Sequence, residues 1–409
     1  MSDKLFKLEL LTMAHGGYAL GRHQKRTIFV PYAIPGEIIE ARIVEDKGRI
    51  AFAEGVRLLD ASADRVYPRC SHFGPRRCGR CQWQHIDYAA QVLIKQDVLA
   101  DQLARVGGFE DADVQPIIPC HVEWGYNYHM TMQVDGGLGF PGVDGGVLQL
   151  DECHILHPDL FALYERLDLN TETIKAVKFQ LGSDGNHTLI FYVDNEQDAP
   201  ELTTDLKTSV NLILPDNEPI NLIGHSHVRY QVWGRWFRVT AGSDFRANVA
   251  QIPALVDLVL NLVNPQPQDS ILDLYGGVGV FSAMIAPYVD LVTLVESYPP
   301  AATDAEENLT EFENVDIIEG AVADVLPSLH ESYTVALLDP PSAGLDLDVI
   351  DQLGESDIPR LIYISSDPAT LARDAKRLVN KGYRLGQIHP IDFNPQTYFI
   401  DAVALFQRH

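Results

Sequence analysis

Apolar and polar residues alternate in short runs over residues 1 to about 58. Lys7–Thr12, Thr27–Pro31, Glu37–Val44 and Ile50–Val56 read as strands, with Gly16-Gly17, Pro35-Gly36 and Asp46-Lys47-Gly48 as turns. That pattern predicts a small OB-like β-barrel. Residues 59–239 mix patterns. A helix is expected from Ala89 to Gly107, with Val92, Leu93, Gln96, Leu99, Leu103 and Val106 near helical spacing and Gly107-Gly108 as the stop. Strands and hairpins are expected over 126–150 and 172–240. A helix over 249–263 leads into Ile271–Phe281, which reads as a buried strand, a glycine turn and the start of a helix. Beyond it β and α patterns alternate: Leu291–Glu296, Val315–Glu319, Val335–Asp339, Arg360–Ser365 and Tyr383–Ile388 are strands. A helix over 367–380 opens on Asp367-Pro368, an N-cap followed by Pro at the first helical position. The expected fold is α/β in three parts: the barrel (1–58), a central cysteine-rich α+β domain (59–239), and a doubly wound Rossmann-like domain (240–409). Ligands are expected at its strand C-termini.

The glycine turn narrows the ligand. Gly276, Gly277 and Gly279 let the backbone approach a bound molecule where a Cβ would clash. Glu296 ends the next strand, where a carboxylate suits a ribose diol. The spacing differs from G-x-G-x-x-G and lacks the Lys-Ser/Thr of a phosphate loop. It fits a class I S-adenosylmethionine (SAM) site better.

Charge and cysteines change the picture further. Net charge is −26, from 31 Lys+Arg against 57 Asp+Glu, which argues against a surface coated for nucleic acid but leaves room for a local basic patch. With 46% hydrophobic residues, no run near the ~18 apolar residues of a membrane span, and no signal-peptide core at the N-terminus, a cytoplasmic monomer without a membrane partner is expected. The five cysteines form a poor disulfide framework and a better metal framework. Cys78-x-x-Cys81 and Cys70 supply three donors, and Cys153 is the better fourth; Cys120, beside Pro119, reads as core. Zinc, an iron–sulfur cluster and a redox pair all remain open, the last disfavoured by the extra cysteines. Arg65, Arg69, Arg76, Arg77 and Arg80 surround the set, with no acidic residue between positions 65 and 80. They either face phosphate or offset a thiolate cluster. The basic loop Arg22–Arg26 is likewise a phosphate contact or a solvated loop.

Four landmarks together resemble the RNA uracil-5 methyltransferases that carry an N-terminal TRAM domain and a [4Fe-4S] cluster. They are Phe29–Glu37; the cysteine set with Gln84-His85; Asp273–Gly279 with Glu296 and Asp339-Pro340-Pro341; and Tyr363–Asp374 followed by Asp392–Thr397. The resemblance runs from end to end. It implies a SAM-dependent methyltransferase acting on rRNA or tRNA, bound through the barrel and the Arg65–Arg80 patch. It implies a [4Fe-4S] cluster on Cys70, Cys78, Cys81 and Cys153, with structural zinc as the alternative, and a SAM site of Arg246, Tyr275, Gly277, Gly279, Glu296 and Asp339. In the family a cysteine adds to C6 of uracil and a carboxylate removes the C5 proton. Here Ser366 stands at the nucleophile's place and Asp401 at that of a glutamate base. Arg246 replaces a glutamine, and its charge is expected to repel the SAM sulfonium and weaken binding. A catalytically impaired paralogue acting as an RNA-binding protein is the alternative. His389 and Asp401 are the expected candidates to activate Ser366.

Overall fold

The computed structural model describes residues 4–408. Five strands close the N-terminal barrel: β1 (Phe6–Met13), β2 (Ala19–His23), β3 (Arg26–Val30), β4 (Ile38–Asp46) and β5 (Ile50–Asp60), in the order β1-β2-β3-β5-β4. Alternate residues point inward, so Leu8, Leu10, Ile28, Val30, Ile39, Ala41, Ala51 and Ala53 fill the interior. The sequence pattern missed β2, because Arg22–Arg26 reads as a polar loop. In space Arg22 and His23 pair with Thr27 and Arg26 across a tight hairpin whose tip, Gln24-Lys25, has positive φ. Arg26 is held by Asp46 at 2.7 Å.

A central seven-stranded sheet runs in the order Pro219–Ile223, Thr208–Ile213, His187–Tyr192, Ala176–Leu181, His129–Val134, Leu138–Pro141, Val147–Leu148. A second seven-stranded sheet carries the strand–turn–helix at Ile271–Phe281. Its order is Val315–Glu319, Leu291–Glu296, Ser270–Leu274, Val335–Leu338, Arg360–Ser365, Asp401–Gln407, Arg384–Ile391. The strands from Val315–Glu319 to Arg360–Ser365 pair parallel, and Asp401–Gln407 is inserted antiparallel to both neighbours.

Strand periodicity sorts this second core into two layers. Ile271, Val292, Leu294, Val335, Leu337, Ile362, Ile364 and Val403 face one side. Leu272, Leu274, Val295, Ala336, Leu338, Leu361, Tyr363 and Ala404 face the other. Helix Ile252–Val263 covers the first layer; helices Leu347–Glu355 and Pro368–Asn380 cover the second. Each large aliphatic side chain removed from water on either face contributes about 1.5–3 kcal/mol. A sheet buried on both faces explains why these strands read as continuous apolar runs.

Packing crosses the expected divisions at 58 and 239. Hairpin His227–Thr240 joins the first layer through Val228, Tyr230, Val232, Phe237 and Val239. Helix α1 (Tyr88–Gln102) joins the second through Leu99. The expected α1 face is partly wrong: Leu93 is 64% exposed and Val106 40%, whereas Gln91 and Lys95 are fully buried. The helix also widens into a π turn at Leu103–Gly107 rather than continuing as α. Among the described residues no helix is long and apolar enough to cross a membrane.

Candidate active site

Parallel strands deliver their following loops to one edge of the sheet. Tyr275–Val278, Glu296, Asp339–Ser342 and Ser366 therefore meet around a cavity of about 360 Å³, lined also by Arg246. The turn is shaped by backbone requirements. Tyr275 has φ 61, a costly conformation for a bulky residue. Gly277 has φ 55 and nothing within 4 Å of where a Cβ would stand, so that space belongs to the cavity. Gly279 does a different job: it caps helix Val280–Ile285 with φ 84, and a Cβ there would meet Leu309 at 2.8 Å. It shapes the turn and does not line the cavity.

Glu296 accepts from the Gly277 N–H (2.9 Å) and the Tyr298 N–H (2.7 Å), one on each oxygen. Oε1 also accepts from Ser297 Oγ at 3.4 Å, so Oε2 is the oxygen that keeps a free lone pair for a hydroxyl. Asp273 lies beneath the turn, with one oxygen accepting from Ser282 Oγ at 2.6 Å and the other unpartnered. Burial, reinforced by the Asp339 and Glu296 charges against the Ser282 hydrogen bond, pushes its carboxyl up to about 7. The fold holds this proton up to about pH 7, whereas an unfolded chain releases it near its ordinary 3.8. The group therefore favours folding most at low pH and loses that contribution as pH rises towards 7. Asp273→Asn, which mimics the protonated form, is expected to flatten this part of the stability–pH curve, measured by urea denaturation from pH 4 to 8.

Ser366 and Asp401 are brought together by register. Ser365 pairs with Ala402 across antiparallel strands, so the next position on each side is Ser366 and Asp401. Asp401 is 3% exposed. Burial raises its carboxyl to about 6; Arg246 opposes that shift and Asp339 adds to it. Arg246 bridges both acids, 2.8 and 3.0 Å from the Asp339 oxygens and 2.9 Å from Asp401, with its guanidinium over the Phe393 ring at 5.1 Å. The expected repulsion of a sulfonium is thereby corrected. One guanidinium against two carboxylates leaves a net negative charge beside the cavity when both are ionised. His389, an expected activator of Ser366, lies within strand Arg384–Ile391, which Asp401–Gln407 separates from Arg360–Ser365.

Residues outside the expected set hold Asp401 in place. Asn394 Nδ2 donates to it at 3.3 Å. The Asn394 loop is fastened by Lys95, whose ammonium reaches Asp392 at 2.7 Å and the Asn394 carbonyl at 2.9 Å. Tyr88 and the Asn394 N–H also donate to Asp392. Sequence reasoning did not single out Lys95. Gln91 and Lys95 are one helical turn apart on α1, and both reach the Asp392–Thr397 stretch.

A second cleft of about 780 Å³ adjoins this site. Gly16–Tyr18 and Tyr32 line it from the barrel, Arg80 and Gln82 from the cysteine-rich segment, His129–Thr131 from the central sheet, and Asn394, Thr397 and Phe399 from the 392–400 loop.

Cys70, Cys78, Cys81 and Cys153 surround one small void with Arg80 beside them. Burial pushes all four thiols up, Cys153 to about 11. Gln84 orders the set by accepting from the Cys70 N–H at 3.0 Å. Among the described residues no group of three or more His, Cys, Asp or Glu is disposed to hold a metal ion. Cys120 is buried elsewhere, accepting from Asn248 at 3.2 Å, as a core cysteine should.

The arginine patch needs correction. Arg65 forks onto buried Glu37 and the Tyr32 carbonyl. Arg80 turns inward to the Thr131 carbonyl. Arg69, Arg76 and Arg77 remain exposed, with Arg69 over the Trp124 ring at 5.3 Å. The sequence shows no acid among them, but the fold brings two: Asp151 meets His72, and Glu152 accepts from Ser71 Oγ at 2.6 Å.

Comparisons with known proteins place this geometry. A profile of the tRNA (uracil-5-)-methyltransferase family matches residues 329–409, and a TRAM domain profile matches 8–56. An uncharacterized RNA methyltransferase of Streptomyces avermitilis is 30% identical, covering 98% of both chains. The chain belongs to the TRAM-domain RNA uracil-5 methyltransferase family. Another such relative, from Aquifex aeolicus, is 29% identical over 100% of this chain and 99% of its own. The Pyrococcus abyssi tRNA (uracil-54, C5)-methyltransferase, solved with S-adenosyl-L-homocysteine, shares the fold. Its TM-score is 0.71 at 19% identity, covering 98% of this chain and 100% of that one. As a family member the protein is a SAM-dependent RNA methyltransferase by descent; Ser366 and Arg246 line the cavity, and Arg246 pairs with Asp401.

Proposed function

We propose that this protein transfers the SAM methyl group to C5 of a uridine in rRNA or tRNA in the cytoplasm, with Ser366 as a slow nucleophile and Asp401 as base. The observation that carries this reading is the placement of Ser366 on the wall of the glycine-turn cavity, next in register to Asp401. When bound, SAM supplies the methyl group and leaves as S-adenosylhomocysteine. Tyr275, Gly277, Glu296 and Asp339 would hold it, Glu296 through the ribose hydroxyls. Ser366 Oγ would add at C6 of the uracil and make C5 nucleophilic. After methylation Asp401 takes the C5 proton, and the serine leaves to restore the ring double bond. A serine must first lose its own proton to water, with no base beside it, so this addition is much harder than with a thiolate. The test is transfer of labelled methyl from SAM to unmodified rRNA and tRNA, with 5-methyluridine identified by mass spectrometry.

The base sets a pH dependence. Asp401 works only as the carboxylate, so methyl transfer is expected to rise with pH through about 6. Arg246→Gln removes the cation that favours the charged form, and the inflection is expected to move to higher pH. An unmoved inflection would assign the base elsewhere.

A second reading is favoured by the Arg246–Asp401 ion pair, which occupies the base that the reaction needs free. In that reading the protein is an impaired paralogue that binds RNA. RNA retention in a gel-shift assay without 5-methyluridine would select it. In both readings RNA enters the cleft beside the barrel, with Arg69, Arg76 and Arg77 as the phosphate contacts left at the surface.

We further infer that Cys70, Cys78, Cys81 and Cys153 hold a [4Fe-4S] cluster rather than zinc. Support comes from the convergence of four thiols on one void and from Arg80, whose cation faces the charge that four thiolates would carry. Thiols pushed up by burial give up their protons only to a strong cationic centre. Anaerobically purified protein is expected to carry about four iron and four sulfide per chain, both lost in Cys153→Ser. Zinc in place of iron would overturn the assignment.

A further inference from the structure

Ser366 sits at the apex of a tight bracket. Ser365 Oγ donates to the Asp367 carbonyl at 3.0 Å and accepts from the Asp367 N–H at 3.3 Å, closing the chain around Ser366. The Asp367 carboxylate is then divided. One oxygen caps helix Pro368–Asn380 by accepting from the Thr370 N–H at 2.7 Å. The other faces His15 Nε2 at 3.2 Å. Burial opposes ionisation of Asp367, but hydrogen bonds from His15 and Thr370 outweigh it and hold the carboxyl down to about 2.

His15 comes from the β1–β2 turn of the barrel, more than 300 residues away in the chain. An ionised carboxylate only accepts, so Nε2 carries the shared hydrogen and the tautomer is fixed by this contact. His15 Nδ1 is buried and has no partner, so nothing else orients the ring through that atom. The same turn supplies Gly16, Gly17 and Tyr18 to the large cleft. The barrel also packs on the other half of the site, since Ile400, next to Asp401, belongs to the barrel's apolar cluster.

We propose that His15 is a positioning residue through which the barrel, when RNA occupies the cleft, fixes the Ser366 loop for reaction. The proposal rests on Ser366 as the reacting residue. RNA held against Gly16–Tyr18 restrains the turn that carries His15. His15 restrains Asp367, and Asp367 sets the backbone of Ser366. The serine is thereby held by contacts from two elements far apart in the chain, and its most remote support lies on the surface that meets RNA.

The test uses full-length protein and a uridine-containing rRNA or tRNA transcript. Amide hydrogen exchange is followed at residues 366–371 with and without RNA. RNA is expected to slow exchange there several-fold in the natural protein but not in His15→Ala. Asp367→Asn, which keeps a good helix cap but loses the charge facing His15, is expected to behave like His15→Ala. His15→Gln, whose amide can still donate, is expected to restore the RNA effect. In methyl transfer His15→Ala is expected to lower kcat while leaving the KM for SAM unchanged. RNA-dependent protection that survives in His15→Ala would overturn the proposal. So would a change in the KM for SAM as large as that in kcat. If the natural protein transfers no methyl group, the function reading fails while the exchange measurement still decides the coupling.

Discussion

Ser366→Cys is expected to form a gel-stable adduct with 5-fluorouridine RNA far faster than the natural protein does. The substitution changes one atom at a position where the backbone is already bracketed by Ser365 and Asp367, so the new thiol inherits the serine's place on the cavity wall. A cysteine is a few per cent thiolate at neutral pH, and a serine is essentially never alkoxide without a base beside it. Fluorine at C5 cannot leave as a proton does, so an adduct formed there persists. Loss of the nucleophile in a covalent enzyme costs up to about 10⁶-fold in kcat, and Ser366→Cys is expected to recover about 100-fold or more in methyl transfer. If Ser366→Cys alone stays silent, adding Arg246→Gln and Asp401→Glu separates a missing nucleophile from a base locked in its ion pair. A gel-stable adduct on the natural protein that disappears in Ser366→Ala would show the serine to be competent as it stands.

The second large effect is on stability. Lys95→Met is expected to cost about 3–5 kcal/mol, because the Asp392 carboxylate would remain buried without its cation. Both side chains of this pair are fully buried. The loss is expected to spread to the active site, since Lys95 also holds the Asn394 carbonyl and Asn394 reaches Asp401. Replacing both partners, Lys95→Met with Asp392→Leu, should recover part of the stability without recovering methyl transfer. Urea denaturation of the two variants checks the first point, and SAM-dependent turnover checks the second. A cost within the range of an exposed ion pair, about 0–1 kcal/mol, would mean that water reaches the pair in solution.

Much of the catalytic half was legible because local rules govern it. The parallel strands, the positive-φ turn at Tyr275–Gly279, the cap at Asp367 and the acid at Glu296 are consequences of neighbouring residues, and each lies where periodicity and turn chemistry put it. The α1 face failed for a physical reason. Burial at Lys95 is decided by a carboxylate 297 residues away, not by hydrophobicity. The arginine patch failed likewise: Arg65 is claimed by Glu37, and Asp151 and Glu152 reach the segment only after the chain returns.

By itself the sequence determined the three-part order of barrel, cysteine-rich segment and α/β sheet. It also determined the glycine turn and which residue types, serine, arginine and aspartate, stand at the positions the family resemblance singles out, because these are matters of residue type and short-range spacing. Only the tertiary structure decided what those residues do to one another. It joined Arg246 to both Asp339 and Asp401, brought Lys95 under Asp392, and set His15 against the serine's neighbour. Charge acts through distance in space, and these distances are closed by strands and loops that the chain order keeps far apart.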